Sequence, residues 1–187
     1  MKNLFCILGR SACGKDTLVK NICDEWHMSY IKSHTTRLPR HMEENTHIFS
    51  TINDFIKDYD EDNIAAYTLI NNSYYWTTFD QLENCDFYVI DPNGLSMLKN
   101  KIFTQNNIRL ITIYITAPSD ERRKRALLRD PNCEETYNDR IKSEDLQFLI
   151  YEREHNYDYC INNVHFEGAY EQLKVIVKKE NERIYAF

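Results

Sequence analysis

An α/β fold, with a central parallel sheet flanked by helices and a mixed α/β insertion, is predicted by three observations. Short apolar runs alternate with stretches of helical period on both sides of residues 34–80. The first run, residues 2–8, leads directly into Gly9-x-x-x-x-Gly14-Lys15. Glycine is scarce elsewhere: the chain of 187 residues has four, against the roughly 7% of average usage. A pair of them spaced around one turn is therefore informative.

The elements follow in order. Residues 2–8 read as a buried strand, with Leu4, Phe5, Ile7 and Leu8 nearly continuous. Residues 15–26 read as a helix with Leu18, Val19, Ile22 and Trp26 on one face. Tyr30 to Ser33 is a short strand candidate, and residues 34–45 a polar loop punctuated by Pro39. Residues 46–80 look β-rich, with aromatics at Tyr67, Tyr74, Tyr75 and Trp76 and a short helix near 52–60. Regular alternation then returns: strand 86–91, helix 94–100, strand 108–116 and a basic helix 119–129. A loop over 130–134 contains Pro131, and a longer helix covers about 136–153. The last strand is 157–162 and the last helix 169–182.

Composition narrows the function classes. Asp plus Glu number 29 against 23 Lys plus Arg, a net charge of −6, which argues against non-specific nucleic-acid binding. The longest clearly apolar stretch, Leu110 to Ile115, is far too short to span a bilayer. The apolar N-terminal run meets Gly9 and Lys15 rather than a small-residue cleavage site, so a buried strand is expected there and not a signal peptide. Six cysteines without a Cys-x-x-Cys pair suit free thiols in a reducing cytoplasm. Small-molecule partners, no nucleic acid, no membrane, and a monomer or homodimer are the expectations.

The first chemical motif is FCILGRSACGKDT (5–17). A strand, a Gly9-x-x-x-x-Gly14-Lys15 turn and a helix match a P-loop. Ser11, Ala12, Cys13 and Gly14 are small or conformationally permissive, so successive backbone N–H groups can face phosphate oxygens. The helix N-terminus adds its positive dipole end and Lys15 a point charge. Asp16 follows the lysine where Ser or Thr is usual, and Thr17 comes next. Asp16 could hold Mg²⁺ directly or through water, or serve as a helix-cap carboxylate favoured by the dipole. Thr17 is the better hydroxyl candidate near phosphate or magnesium. Cys13 is expected to be a small filler.

The second motif is SHTTRLPR (33–40), where two planar guanidinium groups flank a stiffening proline. Ser33, Thr35, Thr36, Arg37, Pro39 and Arg40 resemble the Ser-x-Thr-Thr-Arg-x-Pro-Arg pattern of the guanylate kinase family of nucleoside-monophosphate kinases. The resemblance runs through nearly the whole chain. THIFSTINDF (46–55) resembles the family's D-Y-x-F-V-S-x-x-E-F, placing His47 on a phosphate-binding tyrosine. SYYWTT (73–78) resembles N-Y-Y-G-S/T, with Tyr75 on a monophosphate contact and Thr77 on a base-touching hydroxyl. VIDPNG (89–94) puts Asp91 on an aspartate facing the cleft. RALLRDPNCEETYNDRI (125–141) overlays the family's lid, with Arg129 and Arg140 on the arginines that embrace the transferring phosphoryl group. Two departures stand out. Ala66 falls on the glutamate that reads guanine, and Trp76 replaces a glycine.

The resemblance implies a P-loop kinase fold in one domain. Its core would span about 1–32 and 81–187, its NMP-binding insert about 33–80 and its helical lid about 126–139. It implies transfer from ATP, with Mg²⁺, to a nucleoside monophosphate, GMP or dGMP first. Lys15, Arg129 and Arg140 would be catalytic. Gly9, Ser11, Ala12, Cys13, Gly14, Lys15, Asp16 and Thr17 would bind ATP, with Thr17 and Asp16 toward the metal. Ser33, Arg37, Arg40, His47, Tyr75, Thr77 and Asp91 would bind the acceptor. In the basic run, Arg122, Arg123, Lys124 and Arg125 are expected mostly on a solvated helix face, with Arg129 reaching the cleft. Two alternatives share the fold: a ribose 1,5-bisphosphate kinase, which needs no base reader, and a non-catalytic phosphopeptide-binding module.

Overall fold

The computed structural model describes residues 2–39, 42–102 and 107–184. Strand β1 (Lys2–Leu8) lies at the centre of a parallel sheet because every residue after Lys2 is buried. It pairs on one side with β6 (Phe87–Val89) and on the other with β7 (Ile108–Thr116), which pairs in turn with β8 (Tyr159–Asn162). The order is β6-β1-β7-β8. The two-residue period of β1 divides the core. Phe5 and Ile7 face helix α1 (Lys15–Trp26) and helix α7 (Phe166–Ile184), meeting Leu18, Ile22, Leu173 and Val177. Leu4, Cys6 and Leu8 face the other way, meeting Leu95 and Leu98 of α4 (Pro92–Ile102) and Phe148 and Tyr151 of α6 (Glu134–Glu154). Helix α5 (Ser119–Arg129) precedes α6.

Parallel strands send all their C-terminal ends to one edge, where ligands bind in such sheets. Here β1 delivers Gly9, β6 delivers Asp91, β7 delivers Ala117 and β8 delivers Asn163 to that edge.

A second sheet has the order β3-β2-β5-β4, from β2 (His34–Thr35), β3 (Ile48–Phe49), β4 (Ile64–Ile70) and β5 (Ser73–Thr78). Asn71 and Asn72 both take positive φ, +48° and +59°, which suits the twist of a two-residue hairpin joining β4 to β5. Helix α2 (Ile52–Asp60) covers one face, capped at its start by Thr51 and Asp54. Phe55, Ile64 and Trp76 make a separate small core there.

Three sequence expectations are corrected. Only Tyr30 of the expected strand 30–33 pairs, as a single bridge to Phe87. The chain then crosses to the second sheet, and the expected loop at 34–45 begins instead with β2, where Thr35 is fully buried against Tyr75. Helix α3 (Phe79–Asn84) was not expected; its start is marked by Gln81, which accepts the Thr78 N–H at 3.2 Å. Elsewhere α4 begins at Pro92 and α6 at Glu134, each earlier than expected, while β6 and β8 are shorter than the expected strands 86–91 and 157–162.

Candidate active site

The phosphate loop joins β1 to α1 and needs both of its glycines. Gly9 has φ +149°, and a Cβ there would lie 2.2 Å from the Ile115 carbonyl oxygen on β7. Gly14 sits in the left-handed region at φ +93°, immediately before α1. A Cβ there would lie 2.3 Å from Nδ2 of Asn163. That amide is already engaged, donating to the Cys13 carbonyl at 2.8 Å. Arg125 adds a second brace, donating to the carbonyls of Asn163 (2.8 Å), Val164 (3.2 Å) and Cys13 (3.4 Å). The loop is thus held from α5 and from the end of β8, and Arg125 is a structural bracket rather than a solvated side chain.

Lys15 folds back over the loop, donating to the carbonyls of Gly9 at 2.6 Å and Arg10 at 3.1 Å. Cys13 is fully buried beneath, and burial pushes its thiol up, which fits an inert filler. Asp16 and Thr17 are exposed on the first turn of α1, and among the described residues neither side chain has a hydrogen bond or ion pair. Asp16 therefore caps no N–H.

A carboxylate already occupies part of the loop. Glu144 of α6, only 6% exposed, accepts the Ser11 N–H at 2.9 Å and the Ser11 hydroxyl. Nε of Arg140, one turn earlier, pairs with the same carboxylate at 3.0 Å. Arg10 ties the same helix down through Asp145 at 2.5 Å and Glu152 at 2.8 Å, with its guanidinium over Phe148. Burial opposes ionisation of Glu152, but bonds from Arg10 and Tyr114 outweigh it and hold its carboxyl below the usual range. Arg140 is thereby brought beside the phosphate loop. Arg129, at the end of α5, is exposed and has no hydrogen bond or ion pair among the described residues.

Across the cleft, the strand period of β5 sorts its side chains. Tyr74 and Trp76 turn toward α2, and Trp76 is fully buried with its Nε1–H donating to Asp58 at 2.8 Å. Trp76 fills the small core and stacks on His34, so it does not line the cleft. Tyr75 takes the other side, edge-on to His47 with ring centroids 5.6 Å apart. Arg37 lies over Phe49 at 5.4 Å and pairs with both oxygens of Glu44, at 2.7 and 3.1 Å. The Glu44 bond holds the Arg37 charge firmly, and Tyr75 is among the groups that reinforce it. Arg37, His47 and Tyr75 are thus brought together. Arg40 lies outside the described residues.

Deeper in, Thr77 is fully buried, directly across the ladder from Ala66, itself fully buried. Tyr88 neighbours both Thr77 and Ser33. Asp91 starts α4, accepting the Gly94 N–H at 2.7 Å on one oxygen, with the Thr68 hydroxyl beside its carboxyl. Burial raises its carboxyl above the ordinary aspartate value.

Glu144 and the bracing pair Arg125 and Asn163 were not read from the sequence. Their roles depend on partners far along the chain, and only Arg125 carried a signal, as part of a basic run.

Backbone amides at one sheet edge, with guanidinium groups on two separate flanks, suit a reaction that brings two polyanions together. Fold and site together place the chain among the P-loop kinases of small phosphorylated acceptors. The family model described as Guanylate kinase matches residues 1–180, and the chain belongs to that family. A guanylate kinase of Chlamydia caviae is 31% identical across 96% of this chain and 89% of that enzyme. One from Campylobacter jejuni is 27% identical across 91% and 85%. The fold is also similar to a crystal structure of guanylate kinase from Anaplasma phagocytophilum, at TM-score 0.67 and 21% identity, covering 96% of this chain and 86% of that one.

Proposed function

We propose that this chain transfers the terminal phosphoryl group of ATP to the phosphate of GMP or dGMP, giving ADP and the diphosphate. The observation that carries the reading is the braced loop, with Lys15 at its mouth and Arg140 held beside it through Glu144. The acceptor phosphate is anionic at neutral pH, so no general base is required, and positioning and charge neutralisation supply the rate.

Loop amides and the α1 N-terminus bind the ATP phosphates, and Lys15 exchanges its carbonyl partners for phosphate oxygens. Arg129 and Arg140 converge on the transferring group as lid residues 126–139 close. Arg37, Arg40, His47 and Tyr75 hold the acceptor phosphate, with Arg37 exchanging Glu44 for phosphate. Ser33, Thr77 and Asp91 face the base. Closure of the insert, about 33–80, against the core, about 1–32 and 81–187, excludes water that would otherwise hydrolyse ATP. Thr17 and Asp16 would hold Mg²⁺, which neutralises phosphate charge when bound.

The test is a coupled assay of ATP with GMP, dGMP, AMP, CMP, UMP and ribose 1,5-bisphosphate. GMP or dGMP should turn over best. Turnover of the sugar bisphosphate alone would replace this reading with a sugar-phosphate kinase. ATP binding without any transfer would leave only a binding module.

A further inference from the structure

We propose that Arg122 is an additional binding residue for the phosphate chain of ATP, acting beside Lys15, Arg129 and Arg140. The inference deepens the function proposed above and rests on it.

Arg122 lies in the segment expected to be a solvated basic face, yet it is only 8% exposed. Its Nε and Nη1 are buried, and neither has a hydrogen-bond partner among the described residues. A guanidinium cannot shed its proton to escape burial. A buried, unpaired cation is among the most unfavourable groups a fold can keep. The neighbouring carboxylates are already engaged. Glu152 takes Arg10 and Tyr114, and Glu144 takes Ser11 and Arg140.

The direction of the side chain follows from the helix. Residues 122, 125 and 129 share one face of α5 at three- and four-residue spacing. Arg125 shows where that face points, since it reaches the Cys13 carbonyl of the phosphate loop. Arg122 is itself an electrostatic neighbour of the Cys13 thiol, and on α6 of Tyr137 and Glu152. It therefore stands between the loop and the helix that carries Arg140. Two donor nitrogens without partners, on a fixed cation next to an anion-binding loop, suit phosphate oxygens, which a planar guanidinium can bind in a fork.

A structural arginine and a ligand-binding arginine predict opposite responses to Arg122→Leu. If the guanidinium is kept for phosphate, removing it from the empty protein relieves an unpaired buried charge. The melting temperature should then rise by about 3 °C, while MgATP affinity falls about 10- to 100-fold. GMP affinity should not change. Arg122→Lys should recover part of the ATP affinity.

The experiment is calorimetric titration of parent, R122L and R122K with MgATP, with inorganic tripolyphosphate and with GMP, alongside thermal melts. Tripolyphosphate should follow ATP, because the contact is to the phosphate chain. Unchanged ATP and tripolyphosphate affinity in R122L overturns the proposal. So does weaker binding accompanied by a lower melting temperature and no recovery in R122K. If the parent binds tripolyphosphate, R122L loses it, and GMP is not phosphorylated, Arg122 keeps its role and the acceptor reading fails. A parent that binds neither phosphate compound overturns both.

Discussion

Glu144→Ala should weaken the empty protein and strengthen its grip on ATP by matched amounts. In the structure the Glu144 carboxylate accepts the Ser11 N–H at 2.9 Å, accepts the Ser11 hydroxyl and pairs with Arg140 at 3.0 Å. Bonds to a charged group are worth about 1.5–3 kcal/mol each, and the burial of the carboxylate takes back much of that sum. A net contribution of about 2 kcal/mol is reasonable for the set. The Ser11 N–H is one of the donors a phosphate would use, and it cannot serve both anions. Whatever the carboxylate gives the empty state is therefore subtracted from nucleotide binding. Removing it should lower the melting temperature by about 4–8 °C and tighten MgATP binding about 30-fold. Glu144→Gln keeps an acceptor oxygen without the charge and should fall between the two. Thermal melts with and without nucleotide, and calorimetric titration with MgATP, measure both sides of the cycle, with GMP binding as the control. A variant that is less stable and binds ATP no better would refute the competition.

Lys15→Ala should cut kcat with GMP by about 10²- to 10³-fold with little change in melting temperature, because in the empty protein Lys15 donates to two loop carbonyls and, at 3.9 Å, to the Cys13 sulfur, all within its own loop; steady-state kinetics and a thermal melt check this. Gly14→Ala should cost about 2 kcal/mol of stability and most ATP binding, since its Cβ would strike the Asn163 amide that braces Cys13; a urea titration and an ATP titration read the two losses. Asp91→Asn should stabilise the empty protein at neutral pH. Burial raises the Asp91 carboxyl, so the folded state holds more protons than the unfolded one as pH climbs above the ordinary aspartate value, and stability falls through that window. Asparagine has no such loss and keeps an oxygen for the Gly94 N–H. The gain should vanish in melts below about pH 3, and GMP affinity should fall.

Much of the fold was legible because it is written in local periods. The short apolar run Leu4–Leu8, ended by Gly9, suits a strand covered on both faces. The 12 residues of α1 carry their buried face at helical spacing. The phosphate loop was legible for the same reason: its glycines, its lysine and the flanking elements lie within one short segment. Helix α3 was missed because six residues are too few to show a period. The strand at 34–35 was hidden because two residues inside a polar segment carry no alternation.

The sequence by itself determined the alternating sheet-and-helix plan and the strand–loop–helix unit that carries Gly9, Gly14 and Lys15. Tertiary structure alone decided how the basic run divides, with Arg122 buried, Arg125 bonded to the loop and Arg129 exposed. It also decided that Trp76 fills a core instead of a cleft, and that Glu144 meets Ser11 across 133 residues of chain. The reason is range. Backbone period and motif spacing act over a few turns and can be read in one dimension. Which cation finds a carboxylate, and which is left facing a ligand, depends on how α5 and α6 pack over the edge of the sheet.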